Sequence, residues 1–148
     1  MDHEDYGGSD ELGVILGARI LSKDLIERMK KGVMNIHPGI LPGNRGLDNL
    51  KHSIARRLPV GVTAHLIDHR IDMGTILATK IVPVYPDDNL RDVYIRQRGY
   101  EQKLLIETLK ADKWDGIPCE HSEKFTVVDE ATDMNIHHLF NTYQKYHV

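Results

Sequence analysis

The sequence predicts an α/β fold, and three neighbouring segments carry the prediction. Leu12–Leu21 is an apolar run with the length and β-branched content of a buried strand. Ser22 can cap a following helix, which Gly32 can close. Val33–His37 is then a second short strand. A strand, a helix and a strand in so short a stretch are the signature of a βαβ unit, so the two strands are expected to be parallel.

The next elements follow from periodicity and from the Pro and Gly residues between them. They are predicted, in chain order, as a loop over Pro38–Arg45, a helix with Leu47, Leu50 and Ile54 on one face, a strand over Val60–Ile67, a charged loop over Asp68–Gly74 and a strand over Ile76–Tyr85. The short connection between the last two strands lets them pair with each other.

A long helix is predicted from a cap at Asp87 or Asp88 to about Leu109. Its inward face is expected to carry mainly apolar side chains, namely Leu90, Val93, Tyr94, Leu104, Leu105 and Leu109. Beyond it, Phe125–Val128 is predicted as a strand and Asn135–Tyr146 as a helix.

Length and composition indicate a single domain over residues 1–148, with a core over about residues 12–110 and a C-terminal extension over residues 111–148. Apolar residues make up 41% of the chain and charged residues 28%, as in a globular protein, and a net charge of −3 gives no footprint for wrapping nucleic acid. No apolar run is long enough for a membrane span. The acidic start of the chain does not resemble a signal peptide, so a cytoplasmic location is expected.

Asn35 and His37 are the residues whose spacing points to chemistry. They stand two apart at the end of a strand, so both side chains lie on one face. An Asn amide can donate to a developing oxyanion, and a His can exchange a proton near neutral pH. Asp68 and Asp72 follow a second strand and could orient the His. These residues could form an acyl-transfer site, although Asn and His beside a Pro-Gly turn can also serve only the turn.

Two sequence blocks resemble the signatures of the folate-dependent formyltransferases, which act on glycinamide ribonucleotide, methionyl-tRNA or nucleotide sugars. Asn35-Ile36-His37-Pro38-Gly39-Ile40-Leu41-Pro42 resembles Asn-Ile-His-Pro-Ser-Leu-Leu-Pro. Gly61-Val62-Thr63-Ala64-His65, followed by Ile71-Asp72-Met73-Gly74, resembles the second signature. The order of the blocks and the gap between them also match.

The resemblance implies a truncated formyltransferase-type Rossmann-like fold, with a mixed, mostly parallel sheet flanked by helices. It also implies transfer of a formyl group from 10-formyltetrahydrofolate to an amine, without a metal. In that reading the catalytic residues are Asn35, which stabilises the oxyanion, His37, which shuttles a proton, and Asp72, which stabilises the protonated His37. The donor-binding residues implied are Ala18, Arg19, Ile20, Leu21, Asp68 and His69.

Four more residues are expected to contact the acceptor or to shape the site, namely Thr63, His65, Arg45 and Gly46. A histidine packed in a strand is an alternative reading for His65, and a surface arginine is an alternative for Arg45. His37, His65, His69 and Asp72 could together bind a metal, but neither their spacing nor a cysteine partner supports one.

The chain departs from the family pattern at its N-terminal side and at one signature residue. It shows no Gly-rich phosphate loop of the kind that grips the acceptor, and Gly39 stands where the signature has serine. Without the preceding strands, the edge of Leu12–Leu21 or of its neighbour is expected to be uncovered, which predicts a dimer or larger assembly, or else that the sequence is a fragment.

A small amine such as a nucleotide-linked amino sugar is the preferred acceptor, although methionyl-tRNA and glycinamide ribonucleotide stay open. Two other functions also stay open: hydrolysis of the same donor, and folate binding without catalysis.

Overall fold

The fold is that of a computed structural model, which describes residues 12–16, 21–68, 74–111 and 114–147. Its elements follow in the order β1 (Gly13–Ile15), α1 (Lys23–Arg28), β2 (Val33–His37), β3 (Arg45–Gly46), α2 (Asn49–Arg56), β4 (Gly61–Ile67), β5 (Gly74–Ile81), α3 (Leu90–Lys110), β6 (Ile117–Pro118), β7 (Lys124–Phe125), α4 (Glu130–Met134) and α5 (Ile136–His147). No helix in these ranges is both long and apolar enough to cross a membrane.

The predicted βαβ unit is confirmed. β1 and β2 pair in parallel, with Gly13 opposite Val33 and Ile15 opposite Asn35. The helix between them starts after Ser22, whose Oγ accepts a hydrogen bond from the Leu25 amide at 3.3 Å. That helix stops at Arg28, earlier than Gly32. The observed first strand covers three residues of the predicted run, and residues 17–20 lie outside the described ranges.

The mixed α/β class is confirmed, but the sheet is not mostly parallel. Its strand order is β1-β2-β4-β5-β6, and β1–β2 is the one parallel pair among the four pairs of this sheet in the described ranges. Between β2 and β4 the chain makes a loop, the two-residue strand β3, which belongs to a separate sheet, and the two-turn helix α2. Thr63 near the start of β4 therefore lies opposite His37 at the end of β2. The connection does not carry the chain back along the sheet, so the two strands run antiparallel.

Helix α3 differs from its prediction in its cap and in its buried face. Asn89 is the cap: its side chain accepts from the amides of Arg91 and Asp92, and the Asp92 carboxylate accepts from the Asn89 amide at 2.9 Å. This reciprocal pair satisfies amides that a helix start leaves unpaired. Tyr94 and Leu109, expected to face inward, are exposed. The buried face is partly polar and consists of Val93, Gln97, Glu101, Leu104 and Thr108.

One face of the sheet forms the hydrophobic core. Alternate residues of β2 and β4 point into it, and they are covered by side chains from α2, α3 and α5. The buried cluster includes Met34, Ile36, Ile54, Val62, Ala64, Val93, Leu104, Ile136, Phe140 and Tyr143. The Tyr143 hydroxyl also donates to the Leu58 carbonyl at 2.9 Å. The last helix is therefore packed into the same core as the central strands.

Candidate active site

The opposite face of β2 and β4 carries four polar side chains at the end of the sheet. The antiparallel register places Asn35 opposite His65 and His37 opposite Thr63. Asn35 is half-buried, whereas His37, Thr63 and His65 are at most 2% exposed. Asn35 and His37 therefore share one face of the sheet, as expected. Thr63 and His65, from the second of the two signature-like sequence blocks, lie beside them on that face.

Asn35 is oriented by His65. The two side chains meet at 3.0 Å between Asn35 Nδ2 and His65 Nε2. Because an amide nitrogen only donates, Nε2 of His65 is the acceptor, and the neutral ring carries its proton on Nδ1. An amide has two N–H groups, and this contact uses one of them. The other can donate to an oxygen that develops negative charge next to the strand end.

His37 is held by the backbone of the loop that follows β2. Its Nε2 lies 2.8 Å from the Asn44 carbonyl oxygen, which can only accept, so Nε2 is the protonated nitrogen of the neutral ring. The lone pair of that ring is then on Nδ1, which makes Nδ1 the atom that can take up a proton. The imidazole rings of His37 and His65 lie edge to face, with 6.2 Å between their centroids.

The carbonyl that holds His37 belongs to a densely hydrogen-bonded loop. The Asn44 side chain is 1% exposed and donates to the Asn49 carbonyl at 2.9 Å and to Ser53 Oγ at 2.8 Å. Asn49 Nδ2 donates back to the Asn44 carbonyl at 3.0 Å and lies 3.2 Å from His37 Nε2. Helix α2 therefore anchors the loop, and the loop fixes the ring.

Thr63 fixes the first part of the same loop. Its hydroxyl donates to the Gly39 carbonyl at 2.7 Å and accepts from the Leu41 amide at 3.1 Å. A Cβ at Gly39 would lie 2.5 Å from the Asn44 carbonyl oxygen and 3.0 Å from His37 Nε2. The loop therefore closes over His37 only because residue 39 has no side chain.

Arg45 and Gly46 attach the loop to the C-terminal part of the chain. They form β3, which pairs in parallel with β7. Arg45 Nη1 donates to the Ser122 carbonyl at 2.9 Å. Gly46 has a φ of 107°, and a Cβ there would overlap the Phe125 carbonyl oxygen. These contacts tie the loop to the segment around Ser122 and Phe125.

Several sequence-predicted site residues lie outside the described ranges, namely Asp72, Ala18, Arg19, Ile20 and His69. Leu21 and Asp68 are described: Leu21 precedes α1 and Asp68 directly follows β4, and both are half-buried. The structural observations on the site therefore rest on Asn35, His37, Thr63, His65 and the loop of residues 38–48.

Asn44, Asn49 and Ser53 were not predicted as site residues. The spacing of Asn49 and Ser53 could have indicated them. Residues four apart share one face of a helix, and polar side chains on that face can hydrogen-bond to a neighbouring loop. Asn44 had no comparable signal, since the contribution of its backbone carbonyl depends on how the loop closes.

The family model described as formyl transferase matches residues 12–109, which is most of the chain. The chain belongs to the formyl transferase family. It is 35% identical over 101 residues to the methionyl-tRNA formyltransferase of Trichlorobacter lovleyi, covering 68% of this chain and 32% of that relative. It is 31% identical over 93 residues to the phosphoribosylglycinamide formyltransferase of Haemophilus influenzae, covering 62% of this chain and 44% of that relative. The chain thus spans less than half the length of these curated relatives.

A solved structure of a formyltransferase matches almost the whole of this chain. It is the formyltransferase PseJ from Anoxybacillus kamchatkensis, in complex with UDP-4,6-dideoxy-4-formamido-L-AltNAc and tetrahydrofolate. The match has a TM-score of 0.74 at 27% identity, and it covers 97% of this chain and 85% of that chain. The predicted family and the Rossmann-like α/β fold are therefore confirmed.

Proposed function

We propose that this chain transfers the formyl group of 10-formyltetrahydrofolate to the primary amine of a small molecule, such as a nucleotide-linked amino sugar. The observation that carries the proposal is the adjacent pair of Asn35 and His37 on the polar face of the sheet, where His65 orients the first and the Asn44 carbonyl holds the second. The PseJ complex supports the choice of acceptor, because a formamido sugar nucleotide and tetrahydrofolate are the two products of such a transfer.

The reaction joins the amine nitrogen to the formyl carbon and breaks the bond between that carbon and N10 of the folate. The second N–H of Asn35 donates to the carbonyl oxygen as it gains negative charge. His37 takes the proton that the attacking amine must lose and returns it to the departing N10. The tautomer set by the Asn44 carbonyl leaves Nδ1 of His37 as the base in this cycle.

The remaining roles rest on the family resemblance. Asp72 is proposed to stabilise the protonated His37. Residues 18–21, Asp68 and His69 are proposed to bind the pterin part of the donor, and Thr63, His65, Arg45 and Gly46 to shape the site. The residues that the structure describes fit a formyl donor, since Asn35 offers an amide donor for a carbonyl oxygen beside an imidazole.

The relatives that act on methionyl-tRNA and on phosphoribosylglycinamide keep those acceptors as rivals. A net charge of −3 favours a small acceptor over tRNA, because tRNA binding depends mainly on cationic contacts to phosphates.

A homo-oligomer through the β1 edge is also proposed, because β1 ends the order of the described strands. Light scattering after size-exclusion chromatography tests it, and a stable monomer at micromolar concentration would contradict it.

The function is tested by incubating the protein with 10-formyltetrahydrofolate and amine-bearing sugar nucleotides, and by measuring the tetrahydrofolate that forms. The proposal expects product only when an amine is present. Product with water alone would indicate a hydrolase instead.

His37→Ala should lower the rate by ~10²–10⁴-fold, the usual contribution of general acid–base catalysis. His52→Ala is a matched control, because His52 is a buried histidine whose ring packs at a tilt against Phe125, outside the site.

A further inference from the structure

Two asparagines exchange hydrogen bonds between the loop that follows β2 and the start of α2. The Asn44 amide donates to the Asn49 carbonyl at 2.9 Å. In return, the Asn49 amide donates to the Asn44 carbonyl at 3.0 Å and to Asn44 Oδ1 at 3.1 Å. A backbone carbonyl can only accept, so each contact with one requires the nitrogen end of the amide. Both amide orientations are therefore fixed, and Asn49 directs its two N–H groups at the oxygens of Asn44.

This orientation places the donor end of Asn49 against the ring of His37. Asn49 Nδ2 lies 3.2 Å from His37 Nε2, which in turn lies 2.8 Å from the Asn44 carbonyl oxygen. An unprotonated Nε2 could accept from Asn49, but its lone pair would then face those of the carbonyl oxygen. With Nε2 protonated, His37 and Asn49 each donate to one of the two lone pairs of that oxygen. The shared carbonyl therefore selects the tautomer with a free Nδ1.

The fixed amide also acts on the charge of His37. When Nδ1 takes up a proton the ring becomes a cation, and the partly positive N–H groups of Asn49 lie beside it. Asn49 also occupies one lone pair of the carbonyl that would otherwise stabilise the imidazolium alone. Because Asn49 is 5% exposed, water screens these effects only weakly. Both effects favour the neutral ring.

The titratable and charged side chains on the elements around His37 have partners of their own. They are His65 on β4, Asp48 before α2, Lys51 and His52 on α2, and Arg98 and Glu101 on α3. The ring of His65 has its edge contact with His37 at 6.2 Å between centroids, and it is neutral because its Nε2 accepts from Asn35. Asp72, which is proposed above to stabilise the protonated ring, acts against Asn49.

We propose that Asn49 is a positioning residue that keeps Nδ1 as the base nitrogen of His37 and favours the neutral form of the ring. The use of this base in formyl transfer rests on the proposed function, whereas the tautomer and the charge of the ring do not. A neutral ring can accept the proton of the attacking amine. A cation that is not over-stabilised can return that proton to N10 of the folate, and such a cycle is most efficient when the pKa of the base lies near the working pH.

The proposal is tested by ¹⁵N NMR of the histidine rings, which reports tautomer and titration without donor or acceptor. The signals of His37 are those that disappear in His37→Gln among the nine histidines of the chain. In the wild type, the neutral ring should carry its proton on Nε2. Asn49→Ala should raise the pKa of His37 by about 0.5–1 unit, the worth of one hydrogen bond. Asn49→Asp should raise it by about 1–3 units, because a carboxylate then lies beside Nε2.

The pH dependence of formyl transfer gives a second readout. The acidic limb of kcat/KM should move to higher pH in both Asn49 variants, by the same amount as the pKa of the ring. Ser53→Ala is the matched control, because Ser53 Oγ accepts from the Asn44 side chain at 2.8 Å and lies one turn after Asn49 on α2. It should loosen the same loop and lower the unfolding temperature, but the titration of His37 should stay unchanged.

An unchanged pKa of His37 in Asn49→Ala would overturn the proposal, as would an equal shift in Ser53→Ala, because Asn49 would then serve only the loop. A wild-type ring that carries its proton on Nδ1 would overturn it too, and this measurement decides even if neither Asn49 variant folds. The expected titrations without any formyl transfer would contradict the proposed function alone.

Discussion

Replacing Gly39 by serine should impair the protein, although serine is the residue that the family signature has at this position. An added Cβ would lie 2.5 Å from the Asn44 carbonyl oxygen, 3.0 Å from His37 Nε2 and 3.1 Å from Asn49 Nδ2. The nearest of these atoms belongs to the backbone of a loop that is hydrogen-bonded on several sides, so it cannot simply rotate away. Overpacking of this kind costs about 1–3 kcal/mol of folding free energy.

The same clash should reach the chemistry. The displaced carbonyl is the acceptor for His37, so a shift of the loop moves the ring or changes its tautomer. A misplacement of about 1 Å in a catalytic group can lower a rate by about 10²-fold. We therefore expect Gly39→Ser to be both less stable in urea unfolding and at least tenfold slower in the formyl-transfer assay.

Gly43→Ala is the matched control, because it adds a Cβ in the same loop where the nearest atom, the Ile40 carbonyl oxygen, is 3.9 Å away. Its stability should change by less than about 1 kcal/mol. If Gly39→Ser were as stable as the Gly43 variant and kept full activity, the inference that the loop must close without a side chain at residue 39 would be wrong.

Two further substitutions test other contacts. His65→Leu removes the acceptor that orients Asn35 and should slow formyl transfer by about 10- to 100-fold; adding Asn35→Ala to it should cost less than Asn35→Ala does alone, since the two side chains act as a unit. Asp88→Asn breaks a two-point contact with Arg96, with both N–O distances at 2.6 Å, and should lower the free energy of unfolding at neutral pH by about 1–2 kcal/mol. The hydrogen bonds from Arg96 hold the pKa of Asp88 below its usual 3.8, so this stabilisation is fully present above that value and is lost as the pH falls through the lowered pKa. Urea unfolding of both proteins at decreasing pH should show the difference shrinking below pH 3.8, and a constant difference would contradict the assignment.

The βαβ unit and the strand of Asn35 and His37 were predictable because local signals agree there. Met34 and Ile36 alternate with Asn35 and His37 along the strand, and Pro38 follows directly after His37. The common face of Asn35 and His37 follows from that alternation alone. The partner of Asn35 is harder to predict, because His65 reaches it only through the register between β2 and β4.

Helix α3 shows where local signals mislead. Tyr94 is apolar enough to be assigned inward, yet it is exposed, whereas Gln97 and Glu101 are buried. Gln97 is inside because its amide donates to the Pro38 and Gly61 carbonyls at the end of the sheet. That need arises from the tertiary arrangement, and no periodicity in the helix reveals it. Asp72, by contrast, stays a prediction that rests on the resemblance.

The central claim is that Asn35 and His37 transfer a formyl group to an amine, and a labelled donor tests it most directly. In a single-turnover experiment with ¹³C-formyl 10-formyltetrahydrofolate and an amino-sugar nucleotide, NMR follows the label. The account predicts that the label appears as a formamide on the sugar with the wild type, and at least 10²-fold more slowly with Asn35→Ala or His37→Ala. Label that stays on the folate, or transfer at the same rate in both variants, would contradict the account.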